Sequence, residues 1–157
     1  MTETQPDASG QIDIAAPAER VYDLISDPGA LAECASEYSG YRWLGGAQRA
    51  EVGARFMGRN KKSWARWVTV ARITDADRGK RFGFDVTAGP LRAAHWRYEI
   101  EPAGDGGCRV TESTWDYRPR KLRPFLDRLL GIQDRATHNK TNIHYTLHNI
   151  KSKVEPS

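Results

Sequence analysis

LRPFLDRLLGIQDRATHNKTNIHYTLHNIKSKV, running from Leu122 to Val154, decides the fold of this chain. Its apolar residues Leu129, Ile132, Ala136, Ile143, Leu147, Ile150 and Val154 recur at mostly three- and four-residue steps, which sets side chains on one face of a helix. Between them lie Arg135, Asn139, Lys140, His144 and Lys151, a polar face. Such a helix would run for roughly 45 Å, against a radius of gyration of about 15 Å for a compact chain of this size. It must therefore cross the whole domain against a broad surface. Gly131 costs about 1 kcal/mol relative to alanine inside a helix and marks a break between a short helix over 124–130 and the main one.

The preceding chain supplies that surface. Tyr38 to Pro119 reads as antiparallel strands over 38–46, 54–61, 64–74, 81–88, 91–102 and 108–117. Turn residues separate them: Gly45-Gly46, Gly53, 75–79, Gly89-Pro90 and the Gly104-Asp-Gly-Gly107 loop. Phe82, Phe84 and Val86 alternate with Gly83 and Asp85, and Trp96, Tyr98 and Ile100 with Arg97 and Glu99, so these strands have one dry and one wet face. Earlier still, Gln11–Ala15 forms a short strand and Pro17 opens a helix with Val21, Leu24 and Ile25 as its buried stripe. Asp27-Pro28-Gly29 stops that helix, and Leu31–Ser36 adds another turn or two. The sum is an α+β domain: seven strands in a curved antiparallel sheet, two short helices after the first strand, and a long last helix gripped by the sheet. That arrangement leaves room for a cavity.

At 157 residues the chain has the size of one domain, expected over 11–155, with a polar, frayed start over 1–10. The formal charge of +4 is mildly basic and is gathered only around Arg118, Arg120, Lys121 and Arg123, a cluster that reads as a solvated loop rather than a nucleic-acid site. Cys34 and Cys108 lack metal-type spacing and read as buried thiols. The absence of a membrane-spanning apolar run and of a signal-peptide pattern predicts a cytoplasmic location.

Several of these stretches carry a resemblance. Asp13-Ile-Ala-Ala-Pro-Ala-Glu-Arg-Val-Tyr-Asp-Leu-Ile-Ser-Asp-Pro28, Val52-Gly-Ala-Arg-Phe56, Phe82-x-Phe84, Trp96-x-Tyr98, the Gly-Gly-Cys-Arg-Val-Thr-Glu run ending at Glu112, and Asn142-Ile143 together resemble the SRPBCC (START/Bet v 1-like) superfamily, and within it the polyketide cyclase/dehydrase-like branch. The resemblance spans Gln11 to about Lys153. It implies the helix-grip fold, a seven-stranded antiparallel sheet wrapped around the C-terminal helix over a deep apolar cavity. Members bind lipids, sterols, polyketides or plant hormones, and some are cyclases, aromatases or hydrolases, so the resemblance specifies a container rather than a reaction.

Strand phase predicts what lines the container. Phe56 and Asn60 share one face, and Trp67, Thr69, Ala71 and Ile73 share another that keeps Arg66 and Arg72 in water. Phe84, Trp96 and Tyr98 complete an aromatic lining, and Ile132, Ala136 and Asn139 are the contacts expected from the helix. On the last strand the dry phase of Cys108 and Val110 carries Glu112, Thr114 and Asp116 inward, Asp116 near a wet rim. An inward carboxylate costs several kcal/mol unless paired, hydrogen-bonded or protonated. Glu112 is thus the candidate catalytic residue, a general acid/base or the anchor of a ligand hydroxyl; the plainer alternatives are a backbone or arginine partner, or a bulge that turns it outward.

Other features are weaker. His144 and His148 stand four apart, with His138 nearby, but no further ligand presents itself, and a solvated stripe is the expectation, with no metal and no cofactor. Trp43, Trp64, Trp67, Trp96 and Trp115 read as core and cavity lining rather than a base-stacking surface. Nucleotide-binding and catalytic-triad motifs do not occur. Two functions lead, binding or carriage of a small hydrophobic molecule, or aromatase/cyclase or dehydratase chemistry through Glu112, Asn60 and Tyr98, with a structural or partner-binding module as a weaker third. The segment from Arg118 to Gly131 is expected to gate the cavity mouth.

Overall fold

The computed structural model describes residues 4–156. Strand β1 (Ala8–Ile14) is followed by helices α1 (Ala18–Ile25) and α2 (Pro28–Cys34). Six further strands follow: β2 (Tyr38–Leu44), β3 (Arg55–Lys62), β4 (Ala65–Asp77), β5 (Arg81–Ala88), β6 (Leu91–Pro102) and β7 (Cys108–Asp116). Helices α3 (Arg123–Leu129) and α4 (Arg135–Val154) end the chain. All seven strands form one antiparallel sheet in the order β1-β7-β6-β5-β4-β3-β2, so the first strand closes beside the last and the others follow as a meander. Register shifts after Tyr38, Ile73 and Val86 place bulges in three ladders, each of which bends its strand and helps curve the sheet around α4.

Local chemistry sets the helix limits. The Asp27 carboxylate accepts from the amides of Gly29 and Ala30 and Pro28 takes the first helical position, so the tripeptide expected to stop α1 also starts α2. Gly131 adopts φ +71°; its amide reaches Arg128 O at 3.1 Å while that of Ile132 reaches Asp127 O at 2.8 Å. That pair of bonds is a Schellman stop, and it needs a residue free to enter the left-handed region. Asp134 then restarts the chain as α4 by accepting from the Thr137 amide. The break expected at Gly131 is thus a turn between two helices.

The solid core lies beneath the second half of α4. Ile143, Leu147, Ile150 and Val154 are buried with Val21 and Ile25 of α1, Cys34 of α2, and Ile14 and Val110 of the sheet. Strand β1 begins at Ala8, not Gln11: Ala8, Ser9 and Gly10 pair with Thr114, Ser113 and Glu112, and Asp7 N bonds Thr114 O at 2.9 Å. Thr4–Gly10, expected to fray, is therefore held along β7, while Met1–Glu3 lie outside the described residues. Among the described residues no helix is long and apolar enough to cross a membrane.

Gly10 marks a close approach of helix to sheet, since a Cβ there would stand 2.8 Å from Ile143 Cγ2. We expect Gly10→Ala to destabilise the fold by about 1–3 kcal/mol in urea unfolding, the usual cost of overpacking. Gly104→Ala, where a Cβ would meet nothing within 4 Å, should leave the midpoint unchanged.

Candidate functional site

The curved sheet and the first half of α4 stand apart and enclose a cavity of about 420 Å³. Strand alternation turns Phe56, Asn60, Trp67, Thr69, Phe84, Trp96, Tyr98, Glu112 and Thr114 into it, and Asn139 enters from the helix. Two expected helix contacts do not line it. Ile132 is buried in the turn before α4, and Ala136 is exposed on the helix's outer side. The physical reason is the Gly131 turn, which resets helix phase at Arg135 so that the Leu129 stripe does not continue. Arg135, Asn139, Asn142 and Thr146, three or four residues apart, are the side chains α4 presents, and this polar stripe replaces the apolar one. Leu129, expected to be buried on the long helix, is instead 58% exposed on α3 at the cavity mouth.

The tryptophans divide. Trp67 and Trp96 line the cavity, and Trp43 packs edge-on against Phe56 with centroids 5.6 Å apart. Trp115 is buried on the opposite face of β7, where its indole N–H donates to Thr4 O at 2.7 Å. Trp64, at the tip of the β3–β4 hairpin, is 84% exposed and belongs to neither core nor cavity.

Glu112 and Tyr98 occupy directly opposed positions on β7 and β6. The Tyr98 phenol donates to Glu112 Oε1 at 2.8 Å. The β6–β7 ladder runs unbroken through this pair, so no bulge turns Glu112 away, and the partner is a phenol rather than a backbone amide or an arginine. Burial pushes the Glu112 carboxyl up to about 8, the Tyr98 hydrogen bond pulling the other way. Burial and the neighbouring carboxyl push the Tyr98 phenol up as well. At neutral pH the pair is therefore mostly uncharged, a carboxylic acid beside a phenol. Glu112 Oε2 and the hydroxyl of Tyr38, another residue of the cavity wall, are buried without a hydrogen-bond partner. Across the cavity Asn60 Nδ2 donates to Thr69 Oγ1 at 3.0 Å.

Apart from Glu37 on another part of the wall, charge gathers at the mouth. Asp116 is not wet: its side chain is 9% exposed and is clasped by Arg118 Nε and Nη2 at 3.0 and 2.8 Å. Arg118 also reaches Asp127 at 2.8 Å, and Arg135 reaches the same carboxylate at 2.7 Å. Burial raises Asp116 and Asp127, but the arginine hydrogen bonds outweigh it and hold both below the usual carboxylate range. The basic run expected to be solvated thus ties β7, α3 and α4 together, while Arg120 and Lys121 remain exposed. His138 pairs with Glu37, His144 and His148 are exposed, and no cluster of metal-ligating side chains occurs among the described residues. Cys34 and Cys108 are buried free thiols.

A family model described as polyketide cyclase / dehydrase and lipid transport matches residues 5–155. The chain is 31% identical to the Polyketide_cyc-like protein Cgl2372 from Corynebacterium glutamicum, over 91% of this chain and 87% of that one, with a TM-score of 0.59. Ginseng major latex-like protein 151 from Panax ginseng superposes with a TM-score of 0.72 over 94% and 96% of the two chains at 13% identity. The di-domain ARO/CYC StfQ from the steffimycin biosynthetic pathway does so with 0.65 over 94% of this chain and 44% of that one at 15% identity. The last two likenesses are of fold alone. No functionally curated protein matches the sequence.

The raised Glu112 carboxyl links stability to pH with a definite sign. The folded chain keeps a proton up to about 8 that the unfolded chain releases near 4.5, so the contribution is full below the lower value and lost as pH rises through the upper one. Glu112→Gln removes this titration. We expect the pH 5 to pH 9 loss of unfolding free energy to shrink by roughly 4 kcal/mol in the variant. Equal pH slopes for the two proteins would contradict it.

Proposed function

We propose, from the premise that this chain belongs to the polyketide cyclase / dehydrase and lipid transport family, that it binds and carries a small hydrophobic molecule in the cavity between α4 and the sheet. One observation carries the reading: two buried polar atoms without partners, Glu112 Oε2 and the Tyr38 hydroxyl, belong to side chains of an otherwise largely apolar wall. A buried polar group left unpaired costs about 1–3 kcal/mol, which a ligand carbonyl or hydroxyl reaching either of them would recover. About 420 Å³ is the volume of an ordinary small-molecule site. A lipid, a sterol fragment or a polyketide-like chain with one or two oxygens matches this pattern.

A second reading, as an aromatase/cyclase or dehydratase, draws on the same carboxyl. A neutral Glu112 hydrogen-bonded to Tyr98 is a proton donor held against the place where a ketide carbonyl would lie, and Asn60 would orient the far end of the chain. A carrier needs Glu112 only as a hydrogen-bond partner, whereas an enzyme needs its proton to move. Mass spectrometry of the co-purified ligand, with turnover of that ligand by wild type and Glu112→Gln, separates them. We expect bound ligand and no turnover. For a ketone-bearing ligand, Glu112→Leu should weaken binding about tenfold while leaving a plain hydrocarbon of equal length unaffected.

Access to the cavity runs, on this proposal, past α3. That helix has no buried residue and is tied down through Asp127, while Leu126, Leu129 and Leu130 cover the mouth. Amide hydrogens of 120–131 should exchange at least tenfold faster than those of 143–150, and Asp127→Asn should speed the first group without touching the second. Equal protection of the two segments would rule out this route.

A further inference from the structure

Beside the apolar cavity lies a second hollow of about 420 Å³, and it is polar. It sits between the tip of the β3–β4 hairpin, which brings Lys61, Lys62 and Arg66, and the first turns of α4. Ser36, Glu37 and Asn142 border both this hollow and the apolar cavity, so the two share a wall. Ser36 Oγ donates to Asn142 Oδ1 at 2.9 Å across that wall.

The cations here are more than scattered surface charge. From Val52 to Thr74 the sequence holds six cations, Arg55, Arg59, Lys61, Lys62, Arg66 and Arg72, and no acid, and Lys61, Lys62 and Arg66 border the hollow; the denser Arg118–Arg123 group has Arg118 and Arg123 paired with Asp116. Lys61 and Arg66 are directly opposed across the hairpin, a placement in which like charges repel. Glu37, the acid of the shared wall, is already engaged by His138 and Asn142, and Arg66 Nη1 donates to the carbonyls of Ser63 and Ala65. The hairpin is also fastened, since Lys61 N donates to Glu37 O at 2.9 Å. Repulsion therefore persists on a fixed scaffold around a concave space, and a multiply charged anion would relieve it.

We infer that this hollow seats a phosphorylated head group, and that the molecule held in the neighbouring cavity is an anionic amphiphile with its tail inside and its phosphate among Lys61, Lys62 and Arg66. The inference rests on the reading of the cavity as a ligand site and adds the class of ligand. The deep end, walled by Phe56, Phe84, Trp96, Tyr98 and Glu112, would strip water from a charged head without pairing it, so the tail and not the phosphate lies there.

The test compares decyl phosphate, decanol and inorganic phosphate by calorimetry on the full chain. Wild type should bind decyl phosphate at least tenfold more tightly than decanol, and sodium chloride raised from 20 to 500 mM should erase most of that advantage while leaving decanol alone. The double variant Lys61→Ser, Arg66→Ser should bind the two amphiphiles equally, keep its decanol affinity, and melt no lower than wild type because a repulsion has been removed. Decanol binding as tightly as decyl phosphate in wild type would overturn the head-group site and leave the cavity reading standing. Failure of both amphiphiles would overturn the two together. Inorganic phosphate binding as tightly as decyl phosphate would overturn the amphiphile and assign the hollow to a free anion.

Discussion

The architecture depends on one contact, the seating of α4 on β1 where Gly10 lets Ile143 approach the backbone. From Ile143 onward the helix is pressed into apolar side chains, and Ile143, Leu147 and Ile150 are almost wholly buried. Toward its N-terminus the same straight rod faces a sheet that curves away, and the two surfaces separate. One helix thus does two jobs along its length. Its second half closes the core, and its first half roofs a space that the sheet's aromatic side chains do not fill.

That division explains where polarity is tolerated. A helix face against a packed core must be apolar, because each unpaired polar group there costs free energy. A face against a cavity is free of that demand, so Arg135, Asn139, Asn142 and Thr146 occupy it. The sheet obeys the same rule at Glu112, which sits opposite Gly10 on one side and Tyr98 on the other. The carboxyl could not remain ionised at such a depth without a cation, and none is supplied. It keeps its proton instead, turning a costly anion into a donor.

Most of the sheet was legible in the sequence because alternation and turn glycines are local signals, and strands β5 and β6 begin and end at the expected residues. The inward phase of Trp67 and Thr69 was legible too, since the opposite choice buries Arg66 and Arg72. What was not legible depended on distant partners. β1 extends back to Ala8 because β7 offers it a ladder, which the polar run Thr4–Gly10 does not announce. Ala136 was misplaced because a period carried through Gly131 ignores the phase reset there. Apolar spacing does not reveal Asn142 and Thr146, which repeat at the same helical step as the expected Asn139. The Tyr98–Glu112 pair follows from register, and register between strands joined by a loop becomes visible only once the hairpin is aligned.

The fastening of α3 is the last consequence of this geometry. A segment covering an apolar cavity can be held by burying its own apolar face or by ion pairs at its rim, and the two choices differ in what opening costs. Apolar closure exposes greasy surface whenever it opens. Here Phe125 and Leu129 face outward even when the helix is down, and the hold comes from Arg118, Asp116, Asp127 and Arg135. Asp116, Arg118 and Asp127 have side chains only 9 to 13% exposed, so parting them costs more than parting a surface pair, and the hold on α3 is electrostatic without being weak. The sheet and the second half of α4, which carry the stability of the fold, need not move at all.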